Sequence, residues 1–177
     1  MELFRGGLFA ITTGDITKHA VDAIVNSTNP TFTRSFGVDS AIHEAAGPKL
    51  AAACAKLGTA AFGEARITEG FDLPAKHVVH VVAPVWHDGT KGELELLAKA
   101  YRSALTVARD NGVKTIAFPA ISTGTYAYPF EQATEVAIKT CAAFVAEDAD
   151  AFERIIFCPF TAVDTTVYMK VATAHLG

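Results

Sequence analysis

Thr115-Ile116-Ala117-Phe118 is a short apolar run, and it leads through Pro119-Ala120-Ile121-Ser122-Thr123-Gly124-Thr125-Tyr126-Ala127-Tyr128-Pro129 into the helical pattern Phe130–Glu147. A strand with no polar alternation is one covered on both faces. Arg154–Cys158 reads the same way, and Leu8–Thr12, Ala23–Ser27, Glu64–Glu69 and His77–Ala83 complete the predicted strands. Between them, Val38–Ala46, Lys49–Leu57, Glu93–Asn111, Phe130–Glu147 and Ala162–Ala174 read as helices, with Asn111-Gly112 as a helix stop. Alternation of buried strands with helices predicts an α/β fold, a mostly parallel sheet between helical layers. The 177 residues suit one domain spanning the whole chain.

Composition narrows the function classes. Half the residues are hydrophobic and only 19% are charged, which argues against disorder. No apolar run reaches the roughly 18 residues of a membrane span, and Met1-Glu2-Leu3-Phe4-Arg5 lacks the features of a signal peptide. A cytoplasmic location and no membrane partner follow as expectations. The net charge of −4, without a Lys/Arg cluster, argues against a nucleic-acid partner. An anionic ligand would therefore be held by neutral backbone donors. Cys54, Cys141 and Cys158 sit among apolar neighbours and read as small buried hydrophobes. His77 and His80, three apart in a strand, point to opposite faces, so no metal site is indicated. A nucleophile elbow and a Walker-type motif are both missing, which makes phosphoryl transfer from ATP a poor reading.

Ligands of open α/β sheets bind beyond the carboxyl ends of the strands, so the loops that follow strands carry the chemistry. Gly14-Asp15-Ile16-Thr17 supplies a turn whose carboxylate can accept from an exocyclic amino group. Asn26-Ser27-Thr28-Asn29-Pro30 leads through Thr31–Phe36 to Gly37-Val38-Asp39, where a helix begins. Its free N–H groups and positive dipole end would face the same crevice. Turn capping by the asparagines and helix-start preference for Asp39 are the structural alternatives. Around Gly124, small and hydroxyl residues let backbone amides approach an anion, and Tyr126 and Tyr128 can offer a ring to a sugar or base.

In this order and spacing the segments resemble the macro domain family, in its bacterial and MacroD-type branch, over about Thr13 to Tyr168. The resemblance is carried by Gly14-Asp15-Ile16-Thr17, Asp22–Pro30, Gly37–His43, Ala45-Ala46-Gly47-Pro48, Leu73-Pro74-Ala75-Lys76 and Phe118–Gly124. It implies a three-layer α/β/α sandwich with a mixed, mostly parallel central sheet and a cleft for ADP-ribose. It also implies that Asp15 accepts the adenine amino group with Ile16 beside the ring, and that Gly37 and Val38 meet the ligand. Asn29 would contact the distal ribose, with Asp39 orienting or activating water there. Ser122, Thr123, Gly124, Thr125 and Tyr126 would wrap the diphosphate, with Tyr126 against the distal ribose. Phe160 is the candidate wall for the adenine. The implied activity is removal of ADP-ribose from a protein carboxylate ester, or deacetylation of O-acetyl-ADP-ribose, by water positioned by Asp39 and Asn29, with no cofactor. The implied partner is ADP-ribose or an ADP-ribosylated protein.

One departure stands out. The family's hydrolases usually carry a run of glycines before the Val-Asp pair, where this chain has Arg34-Ser35-Phe36-Gly37; Ser40 and Ala127 also replace usual glycines. Side chains there narrow the cleft and restrict positive φ. Arg34 pairing with a phosphate, or Phe36 covering the ribose, would compensate. A non-catalytic reader of ADP-ribose, and a domain recruited to another ligand or kept as a scaffold, remain competing classes.

Overall fold

Sandwiching decides which residues face which side of a strand, and here it resolves the two unalternating runs. In the computed structural model, which describes residues 1–177, they form β6 (Thr115–Phe118) and β7 (Arg154–Phe157), adjacent parallel strands in the middle of a seven-stranded sheet. The others are β1 (Glu2–Phe4), β2 (Phe9–Ile11), β3 (Ala23–Thr28), β4 (Ala65–Glu69) and β5 (His77–Val82), and the strand order is β1-β2-β7-β6-β3-β5-β4. The five inner strands run parallel, while β1 and β4 close the edges antiparallel. The sheet is mixed but mostly parallel, as the sequence predicts.

Helices cover both faces. One layer is α1 (Val38–Ala46) with α2 (Pro48–Ala55); the other is α3 (Glu93–Asp110), α4 (Phe130–Glu147) and α5 (Ala162–Leu176). Ile116, Phe118, Ile155 and Phe157 point into the core shared with the three long helices. Ala117 and Ile156 point into the smaller core under α1 and α2. Period-2 alternation survives geometrically, but both faces are apolar, so it leaves no trace in hydropathy. No helix is long and apolar enough to cross a membrane.

Two differences from the sequence reading have simple causes. Strand β1 was not expected; three residues are too few to show a period, and pairing with β2 creates the strand. Helix α2 starts one residue and ends two residues earlier than the apolar pattern suggests, and Pro48 occupies its first turn, where a missing N–H costs nothing.

Phe118 is fully buried, with rings of Tyr101 and Phe157 at 5.1 and 6.3 Å. Phe118→Ala is expected to cost about 3–5 kcal/mol, read as a lowered urea midpoint. A shift under about 1 kcal/mol would mean that this core is not what holds β6.

Candidate functional site

Because the inner strands are parallel, their carboxyl ends lie together, and the loops after β2, β3, β6 and β7 meet there. Backbone bonds tie them: Thr12 N–H donates to Phe157 O (3.0 Å), Gly14 N–H to Pro159 O (2.9 Å) and Cys158 N–H to Phe118 O (2.8 Å). The loops enclose two chambers of about 440 and 200 Å³ that share Gly37, Val38, Ala120 and Gly124 as a common waist.

Asp15, Ile16, Cys158, Phe160 and Asp164 line the larger chamber. Asp15 Oδ1 accepts from the Thr17 hydroxyl (2.7 Å) and backbone N–H (2.9 Å). These bonds, the hydroxyl one first, hold its carboxyl below the usual carboxylate range, which leaves Oδ2 as a charged acceptor. Phe160, 76% exposed, gives the chamber an apolar wall. Burial pushes the Cys158 thiol up to about 11, so it lines the wall as a thiol rather than a nucleophile.

The waist is backbone. Gly37 (φ 66°, ψ −134°) takes a conformation open to little but glycine, and α1 starts after it without a side-chain cap. The leading N–H groups of α1 are thereby left open at the positive end of the helix dipole. Opposite, Gly124, Thr125 and Tyr126 donate their N–H groups to no protein acceptor. Ser122 is pinned at φ 67° while its hydroxyl donates to Pro84 O (2.7 Å), a strained residue of the kind that gathers at functional loops.

The smaller chamber is lined by Ser27, Thr28, Asn29, Ser35, Phe36, Ser122, Thr125 and Tyr126 besides the waist. Its one ionisable side chain is Tyr126, whose phenol burial and the nearby Asp39 charge push up. Asn29 lies on the wall with its amide turned into its own loop: Nδ2 donates to Thr33 O (2.7 Å), and Oδ1 accepts from Thr31 and Thr33 N–H. Asp39 lies behind this wall, 1% exposed, with Oδ1 accepting from Asn26 Nδ2 (2.7 Å) and Oδ2 from Ser35 N–H (2.6 Å). His43 Nε2 is 3.6 Å from the same Oδ1, and burial lowers its pKa.

Residues 25–137 match the family model described as Macro domain. The chain belongs to the macro domain family. It is 51% identical over 160 residues to a macro domain-containing protein of Chlorobaculum tepidum, covering 90% of this chain and 92% of that one. A protein of Klebsiella pneumoniae named O-acetyl-ADP-ribose deacetylase is 45% identical, with 92% and 94% of the two chains covered. A crystal structure of the Trypanosoma brucei macrodomain in complex with ADP-ribose superposes with TM-score 0.87 at 37% identity, covering 93% of this chain and 68% of that one.

In this macro domain, Asp15, Ile16 and Phe160 share the larger chamber with Thr123, while Asn29, Ser122, Thr125 and Tyr126 share the smaller. Gly37, Val38 and Gly124 line both chambers, and Asp39 lines neither. Arg34 does not reach the waist. Its guanidinium donates to Ser40 O (3.4 Å) and pairs with Glu44 (3.3 Å), on the far side of the loop. Phe36 stays at the mouth, 80% exposed. Sequence reasoning missed Cys158 and Asp164 as lining residues, although both follow the carboxyl end of β7, where ligands are expected.

The cleft walls are held from behind by the segment after β5. Trp86 N–H donates to Tyr126 O (2.9 Å), and its ring lies 4.7 Å from Tyr128. That segment is gathered by Glu93, whose Oε2 accepts from the N–H groups of His87 (3.1 Å), Asp88 (3.2 Å) and Gly89 (2.8 Å), and Oε1 from Lys91. Burial alone would raise the Glu93 pKa; the backbone donors outweigh it and hold it at about 2. The folded pKa is depressed, so this stabilisation is present above about pH 4.5 and lost as pH falls toward about 2. Glu93→Gln should lower the denaturation midpoint at pH 7 and weaken its decline between pH 4.5 and 2. Parallel acid profiles for the two proteins would remove Glu93 as the cause.

Proposed function

We propose that this macro domain binds ADP-ribose along the double cleft and hydrolyses it from carboxylate esters, either ADP-ribosylated acidic side chains of a protein or O-acetyl-ADP-ribose. The adenine lies in the larger chamber, its amino group donating to Asp15, with Ile16 and Phe160 beside the ring. The diphosphate spans the waist between the start of α1 and the Gly124 loop. The distal ribose enters the smaller chamber against Asn29, Phe36 and Tyr126. The single observation carrying this reading is the waist: two facing sets of free backbone N–H groups at the junction of two chambers. Such donors hold an anion without a cation.

The chemistry of the smaller chamber favours an ester. Nothing lining it is a good general acid at neutral pH, since Tyr126 titrates above its ordinary range. A carboxylate leaves without prior protonation, whereas an amine or alkoxide does not. Water, positioned from the Asp39 and Asn29 side and resting against the diphosphate, forms its new bond to the acyl or the anomeric carbon. Attack at the anomeric carbon breaks its bond to the ester oxygen and expels the carboxylate directly; attack at the acyl carbon breaks the acyl–oxygen bond and expels a ribose oxygen, which takes up the proton that the attacking water gives up. Either route yields the acid and ADP-ribose. Asp39 lies behind the wall with its oxygens engaged by Asn26 and Ser35, so it acts on the water through the loop that it holds.

A second reading, a reader without turnover, is favoured by the burial of Asp39 at 1% exposure. Hydrolysis assays on a mono-ADP-ribosylated acidic protein and on O-acetyl-ADP-ribose, run beside calorimetry with ADP-ribose, separate the two. The hydrolase reading expects product in at least one assay; binding without product leaves the reader.

Two substitutions check the assignment. A Cβ on Gly124 meets nothing within 4 Å, so Gly124→Val would keep the fold and push its side chain into the waist. ADP-ribose affinity should drop about tenfold or more with the melting temperature nearly unchanged. Unaltered affinity would place the diphosphate elsewhere. Asp39→Ala should cut turnover by about a hundredfold or more, beyond any loss of affinity. Equal losses of both would assign Asp39 to loop structure alone.

A further inference from the structure

Behind the smaller chamber runs a chain of polar side chains that lines neither chamber. Asn26 and His80 are register partners on β3 and β5, facing the α1–α2 layer. His80 Nε2 lies 2.9 Å from the Thr68 hydroxyl, and Thr68 in turn donates to Glu69 O (3.0 Å). Asn26 Nδ2, held by the Asp39 carboxylate, can only donate, so His80 Nδ1 accepts and the ring carries its proton on Nε2, toward the Thr68 hydroxyl and Cys54 Sγ (3.8 Å). Burial drives the His80 pKa down to about 3, which keeps the ring neutral and the assignment intact at ordinary pH. Asn26 Nδ2 donates one hydrogen to His80 Nδ1 (3.1 Å) and the other to Asp39 Oδ1 (2.7 Å). Asn26 Oδ1 is buried and has no partner. Only the two N–H bonds therefore set which way this amide faces.

We infer that His80 is a positioning residue, whose Nδ1 orients the Asn26 amide and through it the Asp39 carboxylate that holds Ser35 and the wall of the smaller chamber. A flipped amide would set its oxygen against the carboxylate, so Asp39 would lose a donor and the wall a fixed support. Without an acceptor at the Nδ1 position, one buried N–H of Asn26 goes unpaired. That unmet donor frees the amide to wobble. The kinetic consequence rests on the proposed role of Asp39 in turnover; the orientation of Asn26 does not.

Two polar replacements separate the acceptor from mere filling of space. His80→Asn puts an oxygen where Nδ1 stands, whereas His80→Gln reaches Thr68 but offers nothing to Asn26. Both are compared with wild type by thermal melt, by NMR of the Asn26 side-chain amide, by calorimetry with ADP-ribose and by ester hydrolysis. In the wild type the buried, doubly bonded Asn26 amide hydrogens are expected to exchange slowly with solvent. His80→Gln is expected to lose that protection and to lower turnover about tenfold or more, with ADP-ribose affinity within about threefold. His80→Asn is expected to restore protection and most of the turnover. Protection retained in His80→Gln, or equal loss in both variants, overturns the inference. If the wild type hydrolyses neither ester, the hydrolase reading falls, while the amide exchange still decides the role of His80.

Discussion

The Asp39 carboxylate, taken out of water at the start of α1, is the constraint on which the cleft depends. A buried charge is tolerated only with partners, and each partner here belongs to a different piece of the site. Asn26 comes from within β3, Ser35 from the loop beyond it, and His43 from the next turn of α1. Satisfying one carboxylate therefore fixes the angle at which the helix leaves the loop. That angle aims the open N–H groups after Gly37 at the Gly124 loop.

The proposed ligand is anionic, yet the protein carries a net charge of −4, and no Lys or Arg lines either chamber. The arrangement at the waist resolves the conflict locally. Backbone N–H groups and a helix dipole act at contact distance, where bulk charge matters little. For that proposed ligand, Asp15 and Asp164 at the far end would favour a group with hydrogen-bond donors and disfavour a second anion. Asn29, spent on its own loop, shapes the smaller chamber by what it holds in place: Thr31, Thr33 and the chain leading to Phe36.

Much of the fold was legible because helices and buried strands leave different lengths of apolar run. The bounds of β6, α1 and α4 match the sequence reading, since Pro129, Gly37 and Asp148 stop the pattern sharply. The three loops that line the cleft were legible because small residues follow apolar strands at the expected spacing. What stayed hidden were the directions of long side chains. Arg34 turns to Ser40 and Glu44 because those positions, four apart on α1, share one face of the helix and offer both an acceptor and a charge. Nothing in Arg34-Ser35-Phe36 itself indicates that face. His80 was equally mute, since a histidine in an apolar strand reads alike whether it fills space or orients a neighbour.

From the sequence alone followed the layered α/β architecture, the family resemblance and the three loops that carry polar and glycine residues, because these depend on local spacing and hydropathy. Tertiary structure decided that two of those loops meet as one waist, that Asp39 sits behind the wall and that Arg34 faces away. Those outcomes depend on burial and on partners distant in the chain: Asn26 to His80 spans β3 and β5, and Ser122 to Pro84 spans two loops. No window of neighbouring residues contains that information.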